Sequence, residues 1–433
     1  LKRFESEAIR WVHLQFVDPS GVLQQVSVPA HELDENSFSD GVGKLDGSSI
    51  KGFQDISESD LMLVPDPDTF AIIPWEERSG RIFCGIKQAF GAGQYMKDAR
   101  YVAQKAEEAV KSAGYSNVFM GPELEFFIFD SVTYNTTTPY RGQGYSIESR
   151  EAAWNSFGQN YPIEFKTGYY PAPPRDQLVP IRTQIAEVLE DSFGITTEAH
   201  HHEVATAGQC EIGIRYGPLK KQADNATTFK YVVKNIAAAN GMIATFMPKP
   251  IFGDNGSGMH VHMSLWKNDS NAFYDPNDKY AEISQTARYF VGGLLEHARS
   301  LNALCNPTTN SYKRLVPGYE APVYAAWSKC NRSAAIRVPL YEKGSEKAKR
   351  IEYRTPDPSA NPYLAFSAMV AAGLDGIKSK ADCGDPVDEN IFEFDAKKKR
   401  EYGIKEMCGS LKEAVEELES DNKYLKNIFP TEF

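Results

Sequence analysis

The chain has 433 residues, 42% of them hydrophobic and 24% charged, the composition of a globular protein too long for one compact core. Its 58 acidic and 47 basic side chains leave a formal charge of −11, which argues against nucleic acid as the main partner. Six cysteines (84, 210, 305, 330, 383 and 408) are widely spaced without a C-x-x-C pair, and apolar runs such as Ala368–Leu374 are far too short to cross a bilayer; reduced thiols and a cytoplasmic location are the expectation.

In chain order, residues 9–30 alternate and are interrupted by Asp18-Pro19-Ser20-Gly21, which predicts a β-hairpin. Loops are expected at Leu45–Ile50 and Pro65–Asp68, and short strands at Ala71–Pro74 and Arg81–Ile86. The Gly-rich run Phe90–Gln94 lacks the spacing of a dinucleotide site and reads as a linker. Asp98 can cap a helix running to about Ala113, stopped by Gly114. These signals place a domain boundary near residue 97, giving domains 1–97 and 98–433. Further on, Thr133–Ser146 reads as a polar loop. Helices are expected at about 182–193, 220–240, 282–300 and from Leu411 to Leu418. The last has a capping box (Ser410, Glu413) and an apolar face of Leu411, Val415 and Leu418. Strands and helices mix without regular βαβ alternation, so the fold class is α+β.

Gly121–Asp130 reads as a buried strand whose Glu123 and Glu125 project from one face. Two carboxylates in an apolar element are costly without a cation, although Glu-x-Glu on the wet face of an edge strand is ordinary. His201–Glu211 carries acids at both ends of a turn-like centre; a reversal near Ala207-Gly208 would set Glu203 opposite Glu211. Asn255–Ser264 is a small-residue loop entering a strand, with His260, His262 and Ser264 on one face. Residues 313–354 hold ten Lys or Arg against four Glu, and Arg314, Arg332, Arg337 and Arg354 lie among apolar or small residues, as guanidinium groups awaiting phosphate or carboxylate would. Glu123, Glu125, Glu203, Glu211, Glu352 and His260 form a donor set for Mg²⁺ or Mn²⁺. Such ions beside several arginines point to phosphoryl transfer from a nucleotide to an acidic substrate.

Seven segments, in order across nearly the whole chain, resemble glutamine synthetase of the bacterial and archaeal type I: Asp46–Ser49, Gly121–Glu125, His202–Gln209, Asn255–His260, Asn310–Glu320, Asn331–Ser333 and Arg350–Arg354. The resemblance implies an N-terminal β-grasp domain and a catalytic domain with a curved antiparallel sheet flanked by helices. It also implies a dodecamer of two hexameric rings, with active sites between subunits. By the same resemblance, Glu125, Glu203 and Glu211 hold one divalent metal, and Glu123, His260 and Glu352 the other. ATP phosphates meet His262, Arg332, Arg337 and Arg350, with Ser264 and Lys347 near the nucleoside. Asn255, Gly256, Arg314 and Arg354 hold L-glutamate. Asp46 from the adjacent subunit, with Ser49, Tyr169, Glu203 and Glu320, forms an ammonium pocket. The implied reaction is ATP-dependent glutamine formation through γ-glutamyl phosphate.

Three departures from the family's patterns stand out. Phe392 occupies the place of a modifiable tyrosine and a long insertion is absent, pointing to the compact I-α group. Gln54-Asp55 stand where some compact members place a feedback arginine. Cys210 replaces a common asparagine, as a packing residue in the first instance. Two rivals are a ligase for larger amines, which tends to lose the acid at Asp46, and an inactive relative kept as a structural or regulator-binding assembly. A regulatory protein partner is compatible with activity.

Overall fold

The computed structural model describes residues 1–55, 59–155 and 161–433. Strands are β1 (Trp11–Val17), β2 (Leu23–Pro29), β3 (Val42–Asp46), β4 (Asp60–Pro65), β5 (Ala71–Ile72), β6 (Ser79–Gln88), β7 (Asn117–Phe129), β8 (Ser131–Asn135), β9 (Gly144–Glu148), β10 (Thr197–His202), β11 (Gln209–Ile214), β12 (Gly217–Pro218), β13 (Ile243–Thr245), β14 (Met259–Lys267), β15 (Ser270–Asn271), β16 (Tyr324–Lys329), β17 (Ala334–Val338), β18 (Ile351–Tyr353) and β19 (Lys405–Glu406). Helices are α1 (Lys2–Ser6), α2 (Glu35–Ser39), α3 (Ala99–Ser112), α4 (Val179–Phe193), α5 (Leu219–Ala239), α6 (Gln285–Glu296), α7 (Ala298–Cys305), α8 (Ser311–Arg314), α9 (Pro362–Ser379), α10 (Ala396–Glu401) and α11 (Leu411–Ser420).

The expected hairpin is the antiparallel β1–β2 pair, and β1 also runs parallel to β6 in a sheet ordered β2-β1-β6-β4-β3. A second sheet runs β10-β11-β7-β14-β18-β17-β16-β19 and is antiparallel except between β16 and β17. Its central strand β7 is almost wholly buried, packed against α3 and α5. As expected, Asp98 caps α3 by accepting from Arg100 N, and Gly114 takes a positive φ just past its end. No helix among the described residues is long and apolar enough to cross a membrane.

Several elements differ from expectation. Thr133–Ser146 is not a loop throughout, because β8 and β9 form a separate hairpin in which Tyr134 pairs with Tyr145. The helix expected at 282–300 is two, α6 and α7, broken at His297. Leu45 and Asp46 end a strand rather than lying in a loop. In α11 the capping box is half formed: Ser410 accepts from Glu413 N, but the Glu413 carboxylate turns to Gly409 N and Arg299. Its buried residue is Ala414, while Val415 faces solvent. The interior helix α9 has no counterpart among the expected elements; it is apolar on all sides, so it lacks the one-faced periodicity that marks a surface helix.

The two sheets are tied through α3 and α5. Arg100 bridges Asp66 beyond β4 (2.6 Å) and Asp224 on α5 (2.9 Å), and Tyr363 on α9 donates to Asp224 (2.6 Å).

Candidate active site

Glu123 and Glu125 lie on the same face of β7, as an i, i+2 pair on a strand must. The neighbouring strands bring partners into register: Glu211 of β11 stands opposite Glu125, and His260 of β14 opposite Glu123. The reversal near Ala207-Gly208 is present, with positive φ at both residues. A Cβ on Gly208 would sit 2.4 Å from Ile128 O, so only glycine fits there. The expected pairing of Glu203 with Glu211 is not what forms. Glu211 pairs with His201, and Glu203 N donates to Gln209 O, because the hairpin is centred on Thr206, one residue before the centre that a Glu203–Glu211 pair requires. The sheet nevertheless gathers Glu125, Glu203 and Glu211 around one cleft of about 800 Å³, together with Glu123, His260, Glu352, Arg332, Arg337 and Arg354.

Charge in this cleft is unbalanced. Burial and then the facing Glu211 push Glu125 up to about 8, and burial with Glu123 and Glu352 does the same to Glu211. Glu203 is raised well above the carboxylate range by burial, Glu125 and Glu211. Burial would also raise Glu123, but His262 and His260 outweigh it and hold that carboxyl well below its ordinary value. Glu352 is brought down to about 2 against its burial, chiefly by Arg354, whose Nη1 lies 2.6 Å from Oε1, with Arg337 Nε 2.5 Å from Oε2. His260 is pushed down to about 4 by burial and then by Arg354.

These donors suit hard divalent ions. One ligand atom from each of His201, Glu203 and Glu211 lies within 4.8 Å of the others, and the same holds for Glu123, His262 and Glu352. Both sets differ by one residue from those the resemblance implies. Glu125 has one oxygen engaged by Gln209 Nε2 and Gly258 N, both at 3.0 Å. His262 Nε2 lies 2.8 Å from Glu123, closer than His260 Nδ1 at 3.6 Å. Arg350 Nε donates to His262 Nδ1, so Nε2 carries the proton that Glu123 accepts.

A second cleft of about 990 Å³ shares Glu123 with the first and is lined by His262, Ser264, Lys347 and Arg350. Phe119 and Tyr216, in edge contact at 5.5 Å, add flat aromatic walls that no sequence motif announced. Arg314 on α8 is buried and donates to Thr355 O and Arg354 O. Arg354 Nε is buried without a partner among the described residues, a donor left for an anion entering the first cleft. Asn255 and Gly256 line the same wall, where a Cβ on Gly256 would lie 2.2 Å from Pro248 O. Glu320, at the mouth, has φ +59, a strained setting for a non-glycine residue. Tyr169 stacks on Tyr170 at 4.2 Å. Tyr170, His201, Gln209 and Gly258 also line the cleft; His201 and Gln209 stand within the H-H-H-E…G-Q run, whereas nothing marked Tyr170.

Asp46 and Ser49 lie apart from both clefts. Asp46 is exposed at the end of β3, accepting from Ser48 N, Ser48 Oγ and Ser49 Oγ; those hydroxyl contacts hold its carboxyl below the ordinary range. Cys210 is buried with its thiol 3.6 Å from Arg182 Nη1, and burial pushes it up to about 12, so it packs as an inert thiol.

A strand-built cluster of carboxylates beside guanidinium groups, opening into an aromatic-walled basic cleft, defines a metal-dependent enzyme that handles a nucleotide and an acidic substrate. The glutamine synthetase β-grasp domain matches residues 8–89 and the glutamine synthetase catalytic domain residues 96–433. The chain is 58% identical to a glutamine synthetase of Sulfolobus acidocaldarius over 99% of this chain and 90% of that one. It is 46% identical to that of Escherichia coli over 98% and 90%. A Plasmodium falciparum glutamine synthetase structure superposes with a TM-score of 0.88 at 30% identity, covering 100% of this chain and 92% of the other. The chain belongs to the glutamine synthetase family, and its activity is the ATP-dependent ligation of ammonia to glutamate.

Proposed function

We propose the following division of labour within that activity. Glu125, Glu203 and Glu211 hold one divalent ion, with His201 at its edge; Glu123, Glu352 and His260 hold the second, with His262 adjoining. Mg²⁺ or Mn²⁺ fits this oxygen-rich donor set and, when bound, neutralises charge on the transferring phosphoryl group. The observation that carries the reading is the Glu125–Glu211 opposition, a buried and a half-buried carboxylate in register that need a cation between them.

Arg354 Nε and Arg314, with Asn255 and Gly256, orient glutamate so that its γ-carboxylate meets the γ-phosphoryl of ATP. The nucleotide lies along the second cleft, its phosphates near His262, Arg337 and Arg350 and its nucleoside near Ser264 and Lys347. The γ-carboxylate oxygen attacks phosphorus and ADP departs, giving γ-glutamyl phosphate. Arg332 and Arg337 stabilise the charge that develops. Glu320 closes the mouth against water. Ammonia then attacks the acyl carbon and phosphate leaves. Ammonium must first lose a proton, a task for Asp46 from a neighbouring subunit with Ser49, Tyr169 and Glu203 around the cation. The exposed position of Asp46 and Ser49, away from their own chain's clefts, supports this intersubunit arrangement and a ring assembly, read here as a dodecamer.

Domains divide at residue 97, just before the Asp98 cap. Phe392, without a hydroxyl to modify, supports the compact I-α group, and the free thiols support a cytoplasmic location.

The test is glutamine formation from glutamate, ammonium, ATP and Mg²⁺ by the native chain and Asp46→Ala, with methylamine and putrescine as alternative acceptors. Turnover with ammonium, reduced at least ~100-fold in the variant, is expected for loss of a positioned acid–base group. An undiminished variant would overturn the role of Asp46, and a preference for the amines would favour the larger-amine ligase.

A further inference from the structure

The segment 317–321, which carries Glu320 at the mouth of the first cleft, is held by little of its own backbone. Among the described residues no backbone hydrogen bond reaches it, and the side chain of Glu320, at φ +59, accepts none. A residue so strained keeps its setting only where its surroundings hold it there. Two lysines from distant loops reach the segment. Lys166 Nζ donates to Gly318 O at 3.1 Å and lies 4.1 Å from the centre of the Tyr319 ring. Lys249 Nζ lies 3.8 Å from the same centre. An ammonium over an aromatic face is attracted to its π electrons. Two cations repel each other, so their meeting on one ring requires both to be fixed from behind.

A common anchor fixes them. Asp254 is fully buried; its Oδ1 accepts from Lys166 N at 3.2 Å, its Oδ2 from Thr206 N at 2.7 Å, and its carbonyl from Lys249 Nζ. Asn310 holds the Lys249 backbone on both sides, accepting from its N–H at 2.7 Å and donating to its carbonyl at 3.1 Å. Lys166 stands shortly before Tyr169, and Lys249 shortly before Asn255 and Gly256. The two lysines therefore join the Glu320 segment to two loops that line the cleft.

We propose that Lys166 and Lys249 are positioning residues that clamp Tyr319, hold Glu320 at the mouth and so keep water from γ-glutamyl phosphate until ammonia attacks. The inference rests on the reading of Glu320 as the residue that closes the site. Water reaching the acyl carbon would displace phosphate and return glutamate, so that ATP would be consumed without glutamine.

The test is the ratio of ADP to glutamine formed by the intact assembly with all substrates saturating. That ratio does not depend on how much of a preparation is folded. Lys166→Met and Tyr319→Leu should each raise the ADP released without glutamine about two- to fivefold, the worth of one exposed cation–π contact. Lys166→Arg keeps the cation and Tyr319→Phe keeps the ring, and the Tyr319 hydroxyl has no hydrogen-bond partner among the described residues, so both should stay near the native ratio. Glu320→Ala is the reference. If it uncouples while Lys166→Met and Tyr319→Leu stay coupled, the clamp is overturned and the role of Glu320 stands. If Glu320→Ala stays coupled, that role and the inference resting on it both fall. Equal uncoupling by Tyr319→Phe and Tyr319→Leu would overturn the part assigned to the ring face.

Discussion

Glu211 on β11 stands opposite Glu125 on β7, in register across an antiparallel pair, with both side chains lining the cleft. Like charges so placed destabilise a sheet unless a cation or protons lie between them. Glu211→Gln should therefore make the metal-free protein more heat-stable while weakening Mn²⁺ binding at least ~10-fold, the order expected when a metal site loses part of its donor set. Thermal unfolding without metal and Mn²⁺ titration by electron paramagnetic resonance check the two halves. Unchanged Mn²⁺ affinity would exclude Glu211 as a ligand.

The same pair sets a pH dependence. In the folded, metal-free protein Glu125 and Glu211 keep their protons up to about 8, whereas in the unfolded chain they release them near ordinary carboxylate values. Between those limits the unfolded state binds fewer protons, so stability falls as pH rises. Divalent ions replace the protons, and their stabilising effect should grow across the same interval. Melting temperatures measured from pH 5 to 8, with chelator and with Mg²⁺, should diverge; parallel curves would contradict the pairing.

Asp224 holds Arg100 and Tyr363 at once, and Arg100 also reaches Asp66. Asp224→Ala would leave a largely buried guanidinium with one carboxylate and a buried hydroxyl with none. A loss of about 3–5 kcal/mol in unfolding free energy is expected for breaking such a pair. Denaturant unfolding measures it, and a change below about 1 kcal/mol would show that Asp66 alone suffices.

Helices α6 and α9 touch through glycines. A Cβ on Gly293 would lie 2.1 Å from Ala372 O and 2.8 Å from Gly376 Cα. Gly293→Ala must push the helices apart, at a cost of about 1–3 kcal/mol or more. A stability within ~0.5 kcal/mol of the native protein would mean that the packing yields freely.

Much of the fold was legible where a signal is local. The Asp98 cap, the Gly114 stop and the β1–β2 hairpin follow from single residues and short alternation. Elements whose character comes from surroundings were not legible. Helix α9 is buried on every side over residues 362–373, so no polar face there betrays its period. The β8–β9 hairpin presents polar and aromatic residues to solvent and so reads as loop.

The catalytic region divides in the same way. The chain alone determined that Glu123 and Glu125 share a face, that His260, His262 and Ser264 share another, and that Glu352 and Arg354 lie side by side, because strand periodicity is a property of the local backbone. Only the tertiary structure decided that Glu211 meets Glu125 rather than Glu203, that His262 approaches Glu123 more closely than His260, and that Asp46 lies outside the clefts of its own chain. Register between strands is set by turn length and by burial on both faces of a sheet, and these depend on residues far apart in sequence.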